Sequence, residues 1–359
     1  MGRSALSRRA FAGGVALIGA AACARALPAG ARPTDSVVLV SPPNPHVFPL
    51  LLAMARNPDL AVRLAPVAES READALLQSR GAAGMLAMSY IAAKKRVTRA
   101  VPNLMLYSLN FWRGFYQVAG EDVRSFADLR GKRVVVSGPV GNGQGGGGDI
   151  IFQAAARRVG LDPASDLDVA YMPLAAGSAA VASGEAAAIT IPSPGSTGLV
   201  TRSLLARRPA MAAMARLRGV DVGASVPLAA HIDMQRIFSG FASFPDGQLP
   251  LGGMAVTERA FADSDTRQKL EAIKRAYDEA SALLSQNPGA HAQTVSSLFQ
   301  HHYASLGAGG PPAMLFERAI TQGDLVYRAD VQIAQVRADL GAWITELISE
   351  TPEASFFGV

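Results

Sequence analysis

The residues of this 359-residue chain best suited to chemistry are hydrogen-bond donors gathered in turns, not paired acids, bases or thiols. The densest group is residues 137–148, with seven glycines in twelve positions. This run follows the β-branched triplet Val134-Val135-Val136 and precedes a helical segment, 150–159, closed by Gly160. A glycine-rich turn between strand and helix exposes backbone N–H groups beside a helix N-terminus, and both favour an anion or an acceptor oxygen. Ser137, Gly138 and Asn142 are the candidate ligand contacts it supplies. The same glycines also read as a surface loop with no ligand. A nucleotide reading fares worse. No Lys-Ser/Thr pair follows the loop, Gly141-x-Gly143-x-x-Gly146 is a match any glycine run produces, and the next strand ends in Tyr171-Met172-Pro173 instead of an acid.

Three further strand-to-helix turns carry hydroxyls and amides: 41–46 (Ser-Pro-Pro-Asn-Pro-His), Ser89-Tyr90, and 192–197 (Pro-Ser-Pro-Gly-Ser-Thr). Ser41, Asn44, Ser89, Tyr90, Ser193 and Ser196 are the candidates there. Ser89 reads equally as a ligand donor and as a plain helix cap. The aromatic run 109–116 adds Asn110 and Trp112, with Phe115 assigned to the core. These turns hold almost no carboxylate, which leaves little with which to bind a cation or run acid–base catalysis. They suit a neutral or anionic ligand held by backbone N–H and hydroxyl donors. The five histidines are scattered, and His301-His302 point to different helix faces, so no metal site is expected. No G-x-S-x-G elbow surrounds Ser196, and no catalytic residue or cofactor is assigned.

The elements that must position these turns alternate strand and helix, the pattern of an α/β fold with mostly parallel sheets. The uninterrupted apolar run 37–40 is a buried first strand, with further strands expected at 61–67, 84–88, 104–108 and 116–119. Residues 134–136, 169–172 and 186–191 complete a βαβαβ half. A weak strand is expected at 219–228, a returning strand at 251–257, and helices from Asp265 onward.

Several of these stretches carry a family resemblance. Asp128-Leu129-Arg130-Gly131-Lys132-Arg133, then Gly160-Leu161-Asp162-Pro163, then Ala182-Ser183-Gly184-Glu185 resemble the second lobe of type II periplasmic solute-binding proteins of ABC importers. The group most similar is the one serving nitrate, sulfonates, taurine and thiamine precursors. EADALLQSRGAAGMLAMSYIAA (72–93) and KLEAIKRAYDEASALLSQNPGAHAQTVSSLF (269–299) resemble first-lobe motifs of the same group. Ala187 stands where that group has Asp. The resemblance implies a two-lobed clamshell, with lobe one at 35–114 plus 255–359 and lobe two at 115–254. It also implies that the turn at 41–46 faces the ligand and that 109–116 crosses the hinge past the cleft. By the same resemblance the partners are a small-molecule ligand and an ABC permease, and no bond is made or broken.

Residues 1–26 read as an export signal. Arg8-Arg9 with Phe11 resembles a twin-arginine motif, the apolar stretch 12–24 is too short to span a bilayer, and small residues offer A-x-A cleavage points. Cys23 is the one cysteine, so no intrachain disulfide is expected, and membrane attachment arises only if it is lipidated. Five arginines precede residue 33 without an acid, and removing them takes the formal charge from +5 to near zero. The basic balance therefore implies no nucleic-acid partner. The expectation is a monomeric, periplasmic, non-enzymatic solute-binding protein. The alternatives are a periplasmic accessory protein, for instance a partner of a redox enzyme, whose cleft is vestigial, and an enzyme on the same lobes.

Overall fold

The computed structural model describes residues 36–68, 70–138, 143–208, 210, 213 and 227–358. The export signal with Cys23, the candidate Asn142 and most of the expected strand 219–228 lie outside the described residues.

The chain begins with β1 (Val37–Ser41), α1 (Val47–Arg56), β2 (Val62–Pro66), α2 (Ser70–Gln78), β3 (Gly84–Met88), α3 (Ser89–Val97), β4 (Leu104–Leu106) and β5 (Asn110–Arg113). It continues with β6 (Phe115–Gly120), β7 (Arg133–Gly138), α4 (Gly147–Arg158), β8 (Asp168–Pro173), α5 (Leu174–Ser183), β9 (Ala188–Pro192), α6 (Gly195–Ala206) and β10 (Leu228–Asp233). It ends with β11 (Leu249–Thr257), α7 (Glu258–Ala262), α8 (Ser264–Gln286), α9 (Pro288–Tyr303), α10 (Ala313–Thr321), β12 (Val326–Arg328) and α11 (Ile333–Ile348).

The strands form two sheets. The first runs β12-β5-β11-β3-β1-β2 with β4 paired to β11, and the second runs β10-β6-β9-β7-β8. In each sheet the β1/β2/β3 or β7/β8/β9 set is parallel, and the strands that carry the chain between sheets pair antiparallel. Such mixed sheets follow from a chain that leaves one lobe and returns. A single residue, Gly114, separates β5 in the first sheet from β6 in the second. The return strand β11 starts at Leu249, two residues before the expected 251–257, and is buried along its whole length.

Local chemistry explains the boundaries. Ser125 and Asp128 close a reciprocal capping box before β7. Gly160 (φ +79°) and Gly184 (φ +81°) take the left-handed conformation after α4 and α5, where a Cβ would be strained. The C-terminal helix α11 packs on both α3 and α4, and Arg158 of α4 meets Glu346 of α11 at 2.7 Å.

The turn between β1 and α1 is fixed from behind. Buried tyrosine hydroxyls donate to its carbonyls: Tyr303 to Ser41 O at 3.3 Å, Tyr327 to Pro45 O at 2.9 Å, and Tyr277 to His46 O at 2.9 Å. Burial raises the pKa of all three, so they remain protonated donors. Ser41 O and Pro45 O also accept the backbone N–H groups of Val67 and Phe48, so there each hydroxyl adds a second bond to a carbonyl already held. Tyr277→Phe and Tyr327→Phe are each expected to lower unfolding free energy by about 0.5–1.5 kcal/mol. Urea denaturation checks this, and an unchanged midpoint in both variants would contradict it.

Candidate ligand site between the two sheets

The site is best built outward from His46. Asn44 Oδ1 accepts the His46 backbone N–H at 2.9 Å and lies 3.0 Å from His46 Nδ1. An atom that accepts a backbone N–H must be the amide oxygen, so Nδ1 carries the ring proton and donates it. His46 Nε2 is left as a bare acceptor, buried and without a protein partner. Only 2% of His46 is exposed, and burial lowers its pKa from the ordinary 6.5 to about 3. The ring therefore stays neutral.

Strand β5 brings two more polar groups to the same place. Asn110 and Trp112 are two residues apart and share one face of the first sheet. Gly252 pairs opposite Asn110, and a Cβ there would lie 2.4 Å from His46 Cδ2. Gly252 is thus the gap that lets the histidine ring lie over the sheet, 4.9 Å edge-on from Trp112. Asn110 Nδ2 and Trp112 Nε1 are buried and have no partner. The indole lies across Gly114, where a Cβ would approach Nε1 to 2.7 Å. Gly114 O in turn accepts the Ser193 N–H at 2.7 Å, which ties the β9–α6 turn to the hinge. Phe115 packs on Trp112 at 5.4 Å and reaches toward Gly148 of α4.

The predicted hydroxyls divide into free and engaged. Ser196 Oγ is fully buried without a partner. Ser41 Oγ donates to Pro42 O, Ser89 Oγ to Pro250 O, and Ser137 Oγ to Thr190 O. Ser193 Oγ pairs with Thr197 Oγ1 at 3.1 Å, and Thr197 donates to Asp324 across the hinge. Ser89 does not cap α3; the cap position is Met88. Gly138 is the last residue of β7, paired with Pro173. Tyr90 Oη donates to Gly147 O at 2.8 Å and so joins the first lobe to the start of α4.

The start of α4 differs from the expectation of bare amides awaiting an anion. Asp149, 2% exposed, sits in its first turn. Its Oδ2 accepts the Gly145 N–H at 2.7 Å, and its Oδ1 accepts Tyr171 Oη at 3.0 Å. The positive end of the helix is already met by the chain's own carboxylate, which disfavours a second anion beside it.

Of the residues singled out from the sequence, Asn44 and Trp112 lie against His46, Asn110 is on the same strand face as Trp112, and Ser196 is buried at the β9–α6 turn; the sequence reading did not single out His46, Gly252, Gly114 or Asp149. His46 was weighed only as a metal ligand, and the proline-rich turn around it was the available signal. Among the described residues no group of three or more His, Cys, Asp or Glu is arranged to hold a metal ion. An open groove of about 450 Å³, with Arg124, Phe126, His231 and Arg236 in its wall, holds none of the predicted residues.

The neutral His46 has a measurable consequence. Its folded pKa is depressed, so its contribution is fully present above the unfolded value of 6.5 and is lost as pH falls toward about 3. Within that window stability should fall by up to about 1.4 kcal/mol per pH unit. Denaturant titrations of wild type and His46→Phe between pH 7 and 5 check this. The variant is expected to lose the slope, and parallel curves would contradict the assignment.

Comparison of the sequence with protein-family models and with curated proteins finds no match. Solved structures do match. The alkanesulfonate-binding protein SsuA from Xanthomonas axonopodis pv. citri, bound to MOPS, superposes with a TM-score of 0.57 at 16% identity, covering 90% of this chain and 96% of its own. The periplasmic aliphatic sulphonate-binding protein SsuA from Escherichia coli gives 0.57 at 12% identity, covering 88% and 86%. An ABC transporter structure from Parabacteroides distasonis gives 0.60 at 13% identity, covering 90% and 98%. Likeness at such identities speaks for the fold, and the two sheets and paired crossings described above agree with it: the chain adopts the two-lobed α/β fold of type II periplasmic binding proteins.

Proposed function

We propose that this chain is an exported solute-binding protein that holds a small molecule between its lobes and hands it to an ABC permease. The observation that carries the reading is the fold: two α/β sheets joined by paired crossings, matched over about nine-tenths of the chain by solved solute-binding proteins of ABC import systems. In α/β sheets ligands sit beyond the carboxyl ends of strands. Hinge closure follows as the mechanism: the solute biases an open–closed equilibrium by touching both lobes.

The export signal at 1–26 fits a periplasmic location, and no helix among the described residues is long and apolar enough to cross a membrane. Cys23 remains the one route to a lipid anchor. On this reading the protein acts as a monomer and breaks no bond in its solute; Asp149, a buried acid at the start of α4, is already bonded to the chain itself.

One observation favours the accessory reading as the second choice. At the Tyr90–Gly147 contact the seam is filled by the protein's own atoms: a Cβ on Gly147 would lie 2.3 Å from Met88 Sδ. A cleft closed along its whole length in this way would leave no room for a solute.

Trp112 makes the test direct. The chain has two tryptophans, so in Trp343→Phe the emission reports Trp112 alone. Titration with small anions, sulfonates, pyrimidines and amino acids is expected to change that emission saturably for one class. The same compound should stabilise the fold by about 2.7 kcal/mol at a hundredfold excess over Kd. Silence across all classes would favour the accessory role.

A further inference from the structure

The open groove of about 450 Å³ lies on the lobe of the second sheet, away from the residues predicted to touch the interlobe solute. Its walls come from residues 124–127 ahead of β7, from the end of α4, and from β10 with the turn that follows it. A space of this size holds a small molecule. Val159, Ile232 and Ile237, each half-buried, give it an apolar wall backed by the buried ring of Phe126. Arg124 and Arg236 line the same groove, and both are exposed.

The two guanidinium groups are not spent on the acids around them. Asp128 Oδ2 accepts the backbone N–H groups of Arg124 at 2.9 Å and Ser125 at 2.8 Å. The Arg124 guanidinium itself makes no ion pair or hydrogen bond among the described residues. Arg236 Nε is 3.6 Å from Asp233 Oδ2, beyond hydrogen-bond length. That oxygen already accepts Arg113 Nε at 3.0 Å and Nη2 at 2.6 Å, while Asp233 Oδ1 accepts Gln235 N at 3.0 Å and Nε2 at 2.6 Å. Arg113 therefore neutralises Asp233, and Arg236 keeps its donors. His231 stacks on Tyr116 at 3.9 Å and faces Asp324 at 3.7 Å, so it is engaged at the hinge.

We propose that this groove is a second binding site, for a small organic anion with an apolar body, such as an aryl or medium-chain alkyl carboxylate. The carboxylate accepts from Arg124 and Arg236, since guanidinium forks match its planar pair of oxygens. The apolar body lies on Val159, Ile232 and Ile237, where removing it from water supplies the rest of the affinity. The site is separate from the interlobe one, so neither depends on the other.

Calorimetric titration of the whole protein with phenylacetate, phenethyl alcohol, phenethylamine and acetate tests this. The first three share one apolar body and differ in charge, and acetate keeps the carboxylate without the ring. Phenylacetate is expected to bind, acetate at least tenfold more weakly, and the alcohol and amine not at all. Arg124→Gln with Arg236→Gln changes two exposed side chains and is expected to weaken phenylacetate about tenfold or more, by loss of charge-assisted hydrogen bonds. Circular dichroism confirms that the double variant folds. Phenylacetate binding undiminished in the folded double variant would overturn the placement. Equal binding of the alcohol would overturn the anion class, and equal binding of acetate would overturn the role of the apolar wall. Absence of phenylacetate binding would overturn the second site itself, and the interlobe reading would stand, since the Trp112 emission tests it separately.

Discussion

Two N–H groups of His46 share one oxygen of Asn44, and the chemistry of the seam depends on that shared bond. It assigns the ring proton, fixes the ring in the β1–α1 turn and leaves the Nε2 lone pair buried without a protein partner. Other features of the first lobe serve this arrangement. Gly252 clears the space over the sheet, Trp112 supports the ring edge, and tyrosine hydroxyls hold the carbonyls of Ser41, Pro45 and His46 from the core side. Keeping a histidine neutral in such surroundings requires burial without a facing carboxylate, which is what this turn supplies.

The second lobe meets that face with little side-chain bulk. Gly147 and Gly148 at the start of α4 approach Met88, Tyr90 and Phe115 closely enough that a Cβ on Gly147 would have to displace a neighbour. The lobes are also joined by polar contacts whose partners lie far apart in sequence. Tyr90 reaches Gly147, Arg158 reaches Glu346, and Asp324 receives Thr197 while its carbonyl accepts Tyr116 Oη at 2.9 Å. None is large alone, since partly exposed ion pairs contribute on the order of 1 kcal/mol or less. If the proposed hinge closure operates, contacts of this size set a modest free-energy difference that a small solute can tip.

Much of this architecture was legible in the sequence because it rests on local pattern. The apolar run 37–40, the β-branched triplet 134–136 and the glycine stop at Gly160 each became the element their composition called for. Asn110 and Trp112 were singled out from the aromatic run 109–116, between the expected strands 104–108 and 116–119; the structure makes 110–113 a strand, and only its alternation puts the two on one face. The hydroxyls were harder to read. Ser41, Ser89 and Ser137 lie in the expected turns, yet whether a serine faces a ligand or a carbonyl depends on partners such as Pro250 or Thr190, remote in the chain. Gly252 and Gly114 were not legible at all, since a glycine needed for a ring packed from elsewhere carries no local signature. Asp149 directly precedes the expected helical segment 150–159, but its bond back to Gly145 could not be read from the sequence, and it counters the expectation of an anion at the glycine turn.

The central claim, made as a proposal, is that a small solute binds between the two lobes. The most direct measurement is a high-resolution crystal structure of protein purified from the periplasm without an unfolding step. The account predicts density for one small molecule between the two sheets, in contact with residues of both lobes. A seam filled throughout by the protein's own groups, with no density for a solute, would contradict it.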